Sequence, residues 1–397
     1  MPAFVFPGQG SQRPGMGRPW TDHPSWELVG DVSERTGRDV TYLLLDAGLD
    51  ELTETRNAQL ATFTHSLIVL DAVERLGIEP TACAGHSLGE YTALVAAGVL
   101  SLDDGVAVVA ERGEAMQAAA DHQPGTMRVV LGLDDEAVDV ACRRADGDVW
   151  VANHNAPENV VIAGDLESIE RAAAIAKQLG ARKVLPVAVG GAFHTPFMAP
   201  ARPRLRKALR EATLHQPEVP VVANVDALAH THQEDWPGLL SAQLCSPVRW
   251  RQSIEELAND HRLFVELGAG GVLAGLVRRT IPAANAIAIA SPEDLDDLVR
   301  AIADHTALQA FAVGHQGEHL FVSERVVISP CAGLFEPPMI NETTPTPDGQ
   351  PIEVGTLLGR VAGQEVRSPF HGLLMGMLAV PGERVQAGQP VAWLRAS

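Results

Sequence analysis

The chain has 397 residues, of which 46% are apolar, 20% charged and 5% aromatic, and its formal net charge is −20. That length allows two or three domains of a soluble globular protein, and the acidic balance argues against a nucleic-acid surface. No apolar run approaches a membrane span, the first residues carry no signal-peptide pattern, and Cys83, Cys142, Cys245 and Cys331 lack metal or disulfide spacing, so the expected compartment is the cytoplasm, without a metal.

Residues 3–6 read as a short apolar strand running into the loop Pro7-Gly8-Gln9-Gly10-Ser11-Gln12. Gly8 and Gly10 begin a G-x-G-x-x-G pattern, but Arg13 holds the third glycine position and no acidic residue ends a second strand at the right distance, which argues against a dinucleotide site. Over 57–76, Leu60, Phe63, Leu67, Leu70 and Val73 share a helical face. Then Ala82-Cys83-Ala84, Gly85-His86-Ser87-Leu88-Gly89-Glu90 and an Ala-rich run to Leu100 read as strand, sharp turn and helix, followed by a helix over 102–120 that carries Arg112.

Residues 125–188 read as an inserted unit. Strands at 126–131, 149–153, 160–163 and 182–187 alternate with helices at 134–144 and 166–179, the βαββαβ order of a ferredoxin-like subdomain. Beyond it come a small-residue loop holding His194, a strand at 219–224 and another at 263–267 that enters a Gly-rich turn. Strands alternating with helices predict α/β layering to about residue 300. After about 312 the helical period disappears. Short β-like stretches at 325–329, 356–361, 372–377 and 391–394, separated by Gly and Pro, predict a small all-β module.

The segment 85–90 carries the chemistry. Glycines at 85 and 89 permit a tight elbow that projects Ser87 at the N-terminus of the next helix, where backbone N–H groups favour negative charge. The pattern is that of a nucleophile elbow, although a serine there is equally a helix N-cap. A serine nucleophile needs a base and an oxyanion hole. His194 is the candidate base, with His86 as its rival. An acidic protein partner would require a basic patch. Arg202, Arg204, Arg206, Lys207 and Arg210 form one cluster and Arg278 with Arg279 a second, and each also fits a solvated helix face.

Six motifs stand in register: residues 4–12, Gly85 to Tyr91, Arg112-Gly113, Asn153-His154-Asn155-Ala156-Pro157, Ala192-Phe193-His194 and Glu266-Leu267-Gly268. Through them, residues 1 to about 300 resemble the malonyl-CoA:acyl carrier protein transacylases of fatty-acid and polyketide synthesis. The resemblance implies an α/β-hydrolase-like core formed by 1–124 and 189–312, with 125–188 inserted. It implies a Ser87–His194 dyad, Gln243 orienting the histidine, and an oxyanion hole from the backbone N–H groups of Leu88 and Gln9. Arg112 would grip the free carboxylate of the malonyl group, and Asn155 and Gln59 match positions near the acyl pocket. Phe193 matches the residue that accompanies malonyl rather than methylmalonyl specificity. The implied partners are malonyl-CoA and an acyl carrier protein, whose phosphopantetheine belongs to the partner, so no resident cofactor is expected.

In the last 85 residues, Ser329-Pro330-Cys331-Ala332-Gly333 and Ser368-Pro369-Phe370-His371-Gly372 resemble the two half-repeats of a biotinyl/lipoyl carrier domain, a flattened barrel sandwich. The segment 359–365, where such domains carry their modified lysine, has none, and no lysine follows Lys207. The module at 313–397 is therefore expected to carry no prosthetic group and to serve docking, dimerisation or stability, with an inert appendage as the alternative. The leading expectation is malonyl transfer to a carrier protein. A thioesterase that clears carrier proteins, and a scaffold with a vestigial transferase half, are the alternatives.

Overall fold

The computed structural model describes residues 2–312, 324–338, 350–368 and 372–395. By its internal contacts the chain divides into two compact units, Met1–Ala312 and Val313–Ser397.

The larger unit is built on Ala3–Phe6 and Ala82–Gly85, two four-residue strands with every side chain buried. Strands buried on both faces read as continuous apolar or small runs, and parallel pairing is the arrangement that produces them. The two lie side by side and parallel, with Ala3 opposite Ala82 and Phe6 opposite Gly85. Leu263–Leu267 and Asn285–Ile289 extend the sheet in parallel beyond Ala3–Phe6. Val221–Val222 extends it on the other side and turns back into the antiparallel Ala229–His230. The strand read at 219–224 shrinks to these two residues because Ala223 N–H bonds Leu228 O across a turn in which Ala227 takes a φ of 61°.

The helix read at 57–76 runs Thr55–Glu74 and is buried on nearly every side. Its sequence shows one apolar face, but it also packs against Leu102–His122, so Thr62, Thr64, His65 and Ser66 are enclosed as well. Among the described residues no helix is long and apolar enough to cross a membrane.

The inserted unit follows the order Thr126–Leu131, Asp135–Arg144, Val149–Ala156, Asn159–Gly164, Leu166–Gln178, Lys183–Pro186. Its four strands form one antiparallel sheet in which Thr126–Leu131 lies between Asn159–Gly164 and Lys183–Pro186, with Val149–Ala156 at the edge. Asp134 and Asp165 cap the two helices by accepting backbone N–H groups of the first turn. Val130, Val160 and Ile162 join the helices in one core, while Met127 and Val161 on the opposite face join the core of the large sheet. The edge strand is also stitched to the larger part of the unit: Val248 N–H bonds Ala152 O and His154 N–H bonds Val248 O.

Among its described residues the second unit has eight strands in two four-stranded antiparallel sheets. Val327, Leu358, Val361, Leu374, Val391 and Leu394 are buried together in its core. Leu357–Val361 and Gln364–Arg367 form a hairpin whose two turn residues, Ala362 and Gly363, have φ of 50° and 79°. Positive φ at both positions is the turn that matches strand twist. This hairpin spans the lysine-free segment 359–365; residues 339–349 and 369–371 lie outside the described residues.

Two glycines test the packing at the strand ends. A Cβ on Gly89 would lie 2.0 Å from the Phe6 carbonyl oxygen, a backbone atom that cannot move aside, whereas one on Gly30 in Glu27–Thr36 meets nothing within 4 Å. Gly89→Ala is expected to lower the thermal midpoint sharply. Gly30→Ala is expected to raise stability by about 0.5–1 kcal/mol, because alanine loses less backbone entropy in a helix. Equal midpoints for the two variants would contradict the packing described.

Candidate active site

The carboxyl ends of the two central strands place the Pro7–Gln12 loop against the 85–90 elbow, the position where open parallel sheets bind ligands. Ser87 stands at the elbow with a φ of 53°, in the left-handed region that non-glycine residues rarely occupy. Three glycines allow it. Added Cβ atoms would meet Gly89 C and O at 1.9 Å from Gly85, Phe6 O at 2.0 Å from Gly89, and His86 O at 2.3 Å from Gly8. The turn is held from below by Asn224, whose Oδ1 accepts Ser87 N–H at 2.7 Å while its Nδ2 donates to Gly85 O at 2.7 Å.

His194 is brought in by the loop before the 3-10 helix Pro196–Ala201 and also has a left-handed backbone, with a φ of 61°. Its Nε2 lies 2.8 Å from Ser87 Oγ and its Nδ1 2.9 Å from the backbone oxygen of Gln243. A carbonyl only accepts, so Nδ1 carries the proton and Nε2 offers its lone pair to the serine hydroxyl. Burial, reinforced by the nearby Arg112 charge, pushes the imidazole down to about 3 despite the Gln243 hydrogen bond. The ring is therefore neutral near pH 7, the form that can take a proton. His86 is directed elsewhere: its Nε2 meets Asn155 Oδ1 at 2.9 Å and its ring packs edge-on to Trp250.

Arg112 lies under the serine and is 1% exposed. Its Nη2 donates to Ser87 Oγ at 3.3 Å and to Gln243 Oε1 at 2.9 Å, and its Nη1 donates to Gln59 Oε1 at 2.6 Å. Its carbon Cζ sits 5.2 Å from the centre of the Tyr91 ring, and its buried Nε–H has no acceptor among the described residues. Burial lowers the guanidinium, but arginine stays charged in proteins.

Above the serine opens a cleft of about 260 Å³ between the large sheet and the inserted sheet. Gln9, Ser87, Asn155, Phe193 and His194 line it, together with Met127, Val129 and Val161 from the inserted strands and Val272 and Leu276 from Val272–Thr280. The backbone N–H groups of Leu88 and Gln9 make no hydrogen bond among the described residues. Gln59 is not on the cleft wall. It stands behind Arg112, with Nε2 donating to Met116 Sδ.

Gln243 reaches His194 through its main chain, and its side chain is used differently: Nε2 donates to Glu90 Oε2 at 2.6 Å and to Ser87 O at 2.8 Å. Glu90 and Asn224 are the site residues that the sequence reading assigned no part. Glu90 was visible inside the elbow motif, but a charged residue on a helix signals solvent and this one is 0% exposed. Asn224 carried no signal beyond its place after a strand. Of the basic clusters, Arg202 and Arg206 bond Ser241 and Arg204 pairs with Glu111, whereas Arg278 bonds Ala286 O and Arg279 bonds Glu158 O. Among the described residues no three His, Cys, Asp or Glu side chains are placed to hold a metal ion.

In this α/β protein a left-handed serine, a neutral histidine and a buried arginine meet in one cleft, an arrangement whose chemistry suits acyl-group transfer. The acyl transferase domain model matches residues 3–316, and the chain belongs to that family. It is 39% identical over 300 residues to the malonyl CoA-acyl carrier protein transacylase of Bacillus subtilis, covering 74% of this chain and 95% of that protein. An acyl carrier protein S-malonyltransferase from Vibrio cholerae superimposes with a TM-score of 0.71 at 37% identity, covering 75% of this chain and 99% of that one. A malonyl-transacylase solved in complex with its type II PKS acyl-carrier protein gives a TM-score of 0.71 at 36% identity, covering 74% and 97%.

The buried imidazole makes stability depend on pH with a definite sign. Its value falls from near 6.5 in the unfolded chain to about 3 when folded, so the unfolded state binds the extra proton between those values. Its contribution is complete above about pH 6.5 and is lost as pH falls toward 3, by at most about 1.4 kcal/mol per pH unit. His194→Gln is expected to lose less stability than the wild type between pH 7 and pH 5, read as the shift in chemical-denaturation midpoint. An identical shift would mean that the ring is not buried neutral.

Proposed function

We propose that this protein transfers a malonyl group from malonyl-CoA to the phosphopantetheine thiol of an acyl carrier protein, through a malonyl ester on Ser87. The observation that carries the reading is the convergence on one Oγ of a neutral imidazole at 2.8 Å and a buried guanidinium at 3.3 Å.

Ser87 Oγ attacks the thioester carbonyl as His194 Nε2 takes its proton. The backbone N–H groups of Leu88 and Gln9 stabilise the oxyanion. The C–S bond then breaks, and the imidazolium protonates the departing CoA thiolate. In the second half, His194 takes the proton of the carrier's thiol, the thiolate attacks the ester, and the proton returns to Ser87 Oγ as the C–O bond breaks. Gln243 O steadies the imidazolium through Nδ1–H, as a carboxylate does in serine triads.

The carboxylate of a malonyl group stands one methylene from the reacting carbonyl, which suits a guanidinium beside Oγ. Arg112 is the group that binds it, held in place by Gln59 and Gln243. Phe193 fills the wall where an α-methyl would sit, favouring malonyl over methylmalonyl by about 1–3 kcal/mol. Asn155 fixes His86 on the same wall. The reaction needs no resident cofactor, and the cytoplasm is the compartment that the composition suggests.

The core is read as an α/β-hydrolase-like fold over 1–124 and 189–312, with 125–188 as a ferredoxin-like insertion. Residues 313–397 are read as a barrel-sandwich carrier domain without its lysine, serving protein contacts. The relatives correspond over nearly their whole length to about the first 300 residues, which supports a catalytic unit independent of this module.

Three outcomes follow. Malonyl-CoA is expected to add one malonyl mass to the intact protein, and Ser87→Ala to abolish the addition; a shift that survives the substitution would refute the nucleophile. Arg112→Ala is expected to cost malonyl loading about 2–4 kcal/mol, much of it from an unpaired buried charge, while sparing acetyl loading. Truncation after Ala312 is expected to leave loading by malonyl-CoA intact, and a biotin or lipoate mass on the full chain would overturn the reading of the module.

A further inference from the structure

The hydrogen bonds around Gln243 define a polarity that the reaction itself does not require. Its side-chain amide lies between Glu90, which offers only acceptor oxygens when ionised, and Arg112, which offers only donors. Nε2 donates to Glu90 Oε2 at 2.6 Å and to Ser87 O at 2.8 Å, and Oε1 accepts Arg112 Nη2 at 2.9 Å. The other carboxylate oxygen of Glu90 accepts the backbone N–H of Asn224 at 2.6 Å. Asn224 is the residue that holds Ser87 N–H and Gly85 O. Glu90 touches neither Ser87 Oγ nor the cleft.

We propose that Glu90 is a positioning residue that sets the acyl selectivity of the site: by accepting from Gln243 Nε2 it turns Gln243 Oε1 toward Arg112, and so aims the guanidinium that receives a carboxylated acyl group. This rests on the malonyl reading of Arg112 given above. Its force comes from the fixed partner on the other side. A backbone N–H cannot reverse, so one oxygen at position 90 must always face Asn224. A glutamine there has a single oxygen and would spend it on Asn224. Its NH2 would then meet Gln243 Nε2 donor to donor. The remedy is for the Gln243 amide to rotate, which presents Nε2 to Arg112 and removes one of the acceptors that hold the guanidinium. Rotation also takes the Nε2–H of Gln243 away from Ser87 O, while the contact between Ser87 Oγ and His194 is kept, because His194 is held by the main-chain oxygen of Gln243. Burial pushes the Glu90 carboxyl up to about 7, with the Asn224 and Gln243 bonds and the Arg112 charge opposing the rise. That places a considerable ionised fraction at neutral pH.

The test is a competition. Full-length wild type, Glu90→Gln, Glu90→Asp and Arg112→Ala are each mixed with equal malonyl-CoA and acetyl-CoA, and intact mass gives the ratio of malonyl to acetyl on the protein. The ratio counts only loaded molecules, so a smaller folded fraction does not alter it. Glu90→Gln is expected to lower the ratio by about tenfold, the effect of one mis-set charged hydrogen bond. Glu90→Asp, which keeps two acceptor oxygens, is expected to retain most of the wild-type preference. A Glu90→Gln ratio equal to that of the wild type, alongside a collapsed ratio in Arg112→Ala, would overturn the role of Glu90 and leave the malonyl reading standing. An unchanged ratio in Arg112→Ala would overturn that reading and with it this inference.

Discussion

The site depends on the contact between the first strand and the helix that follows the second. Phe6 O lies so close to Gly89 that no side chain fits between them, and Gly85 lies against the backbone of Gly89. That approach leaves the connecting residues no room for an ordinary turn. Ser87 is driven into a left-handed conformation, and its side chain is thrown clear of the sheet toward the cleft. Strain of this kind costs about 1–3 kcal/mol and persists only where surrounding bonds overdetermine it. Here Asn224 supplies those bonds on both sides of the turn.

Around this fixed serine the charges are arranged by burial. His194 is kept neutral because a buried imidazolium is costly beside Arg112. Arg112 keeps its charge because arginine cannot readily give it up, and Gln59, Gln243 and the Tyr91 face surround it. The site thus contains an imidazole in its neutral form and a cation with one N–H that has no acceptor among the described residues, next to one hydroxyl. Glu90 balances that cation at second hand. A carboxylate in direct contact with Arg112 would compete with a carboxylated substrate, whereas one placed behind the neutral Gln243 amide does not.

Much of this was legible in the chain because it is local. The elbow occupies six consecutive residues, and glycine spacing alone predicts its turn. The βαββαβ order follows from alternating periods, and the lysine-free hairpin from composition. What was not legible is what distance in sequence conceals. Glu90 sits on a helix as though for solvent and is buried by Asn224 and Gln243, more than 130 residues away. Gln59 resembles a pocket residue by position but is a prop for Arg112, which only the packing of two helices reveals. The helix Thr55–Glu74 shows one apolar face and has almost none exposed, because Leu102–His122 packs against it as well, and Thr64 donates to Leu60 O within the helix.

The central claim is that Ser87 carries an acyl group destined for a thiol. The most direct measurement is to load the protein with malonyl-CoA, remove free thioesters by gel filtration, and add a holo acyl carrier protein. The account predicts that malonyl leaves the Ser87 peptide and appears on the carrier's phosphopantetheine with matching stoichiometry. Release of free malonate with an unloaded carrier, or a malonyl group on any residue other than Ser87, would contradict it.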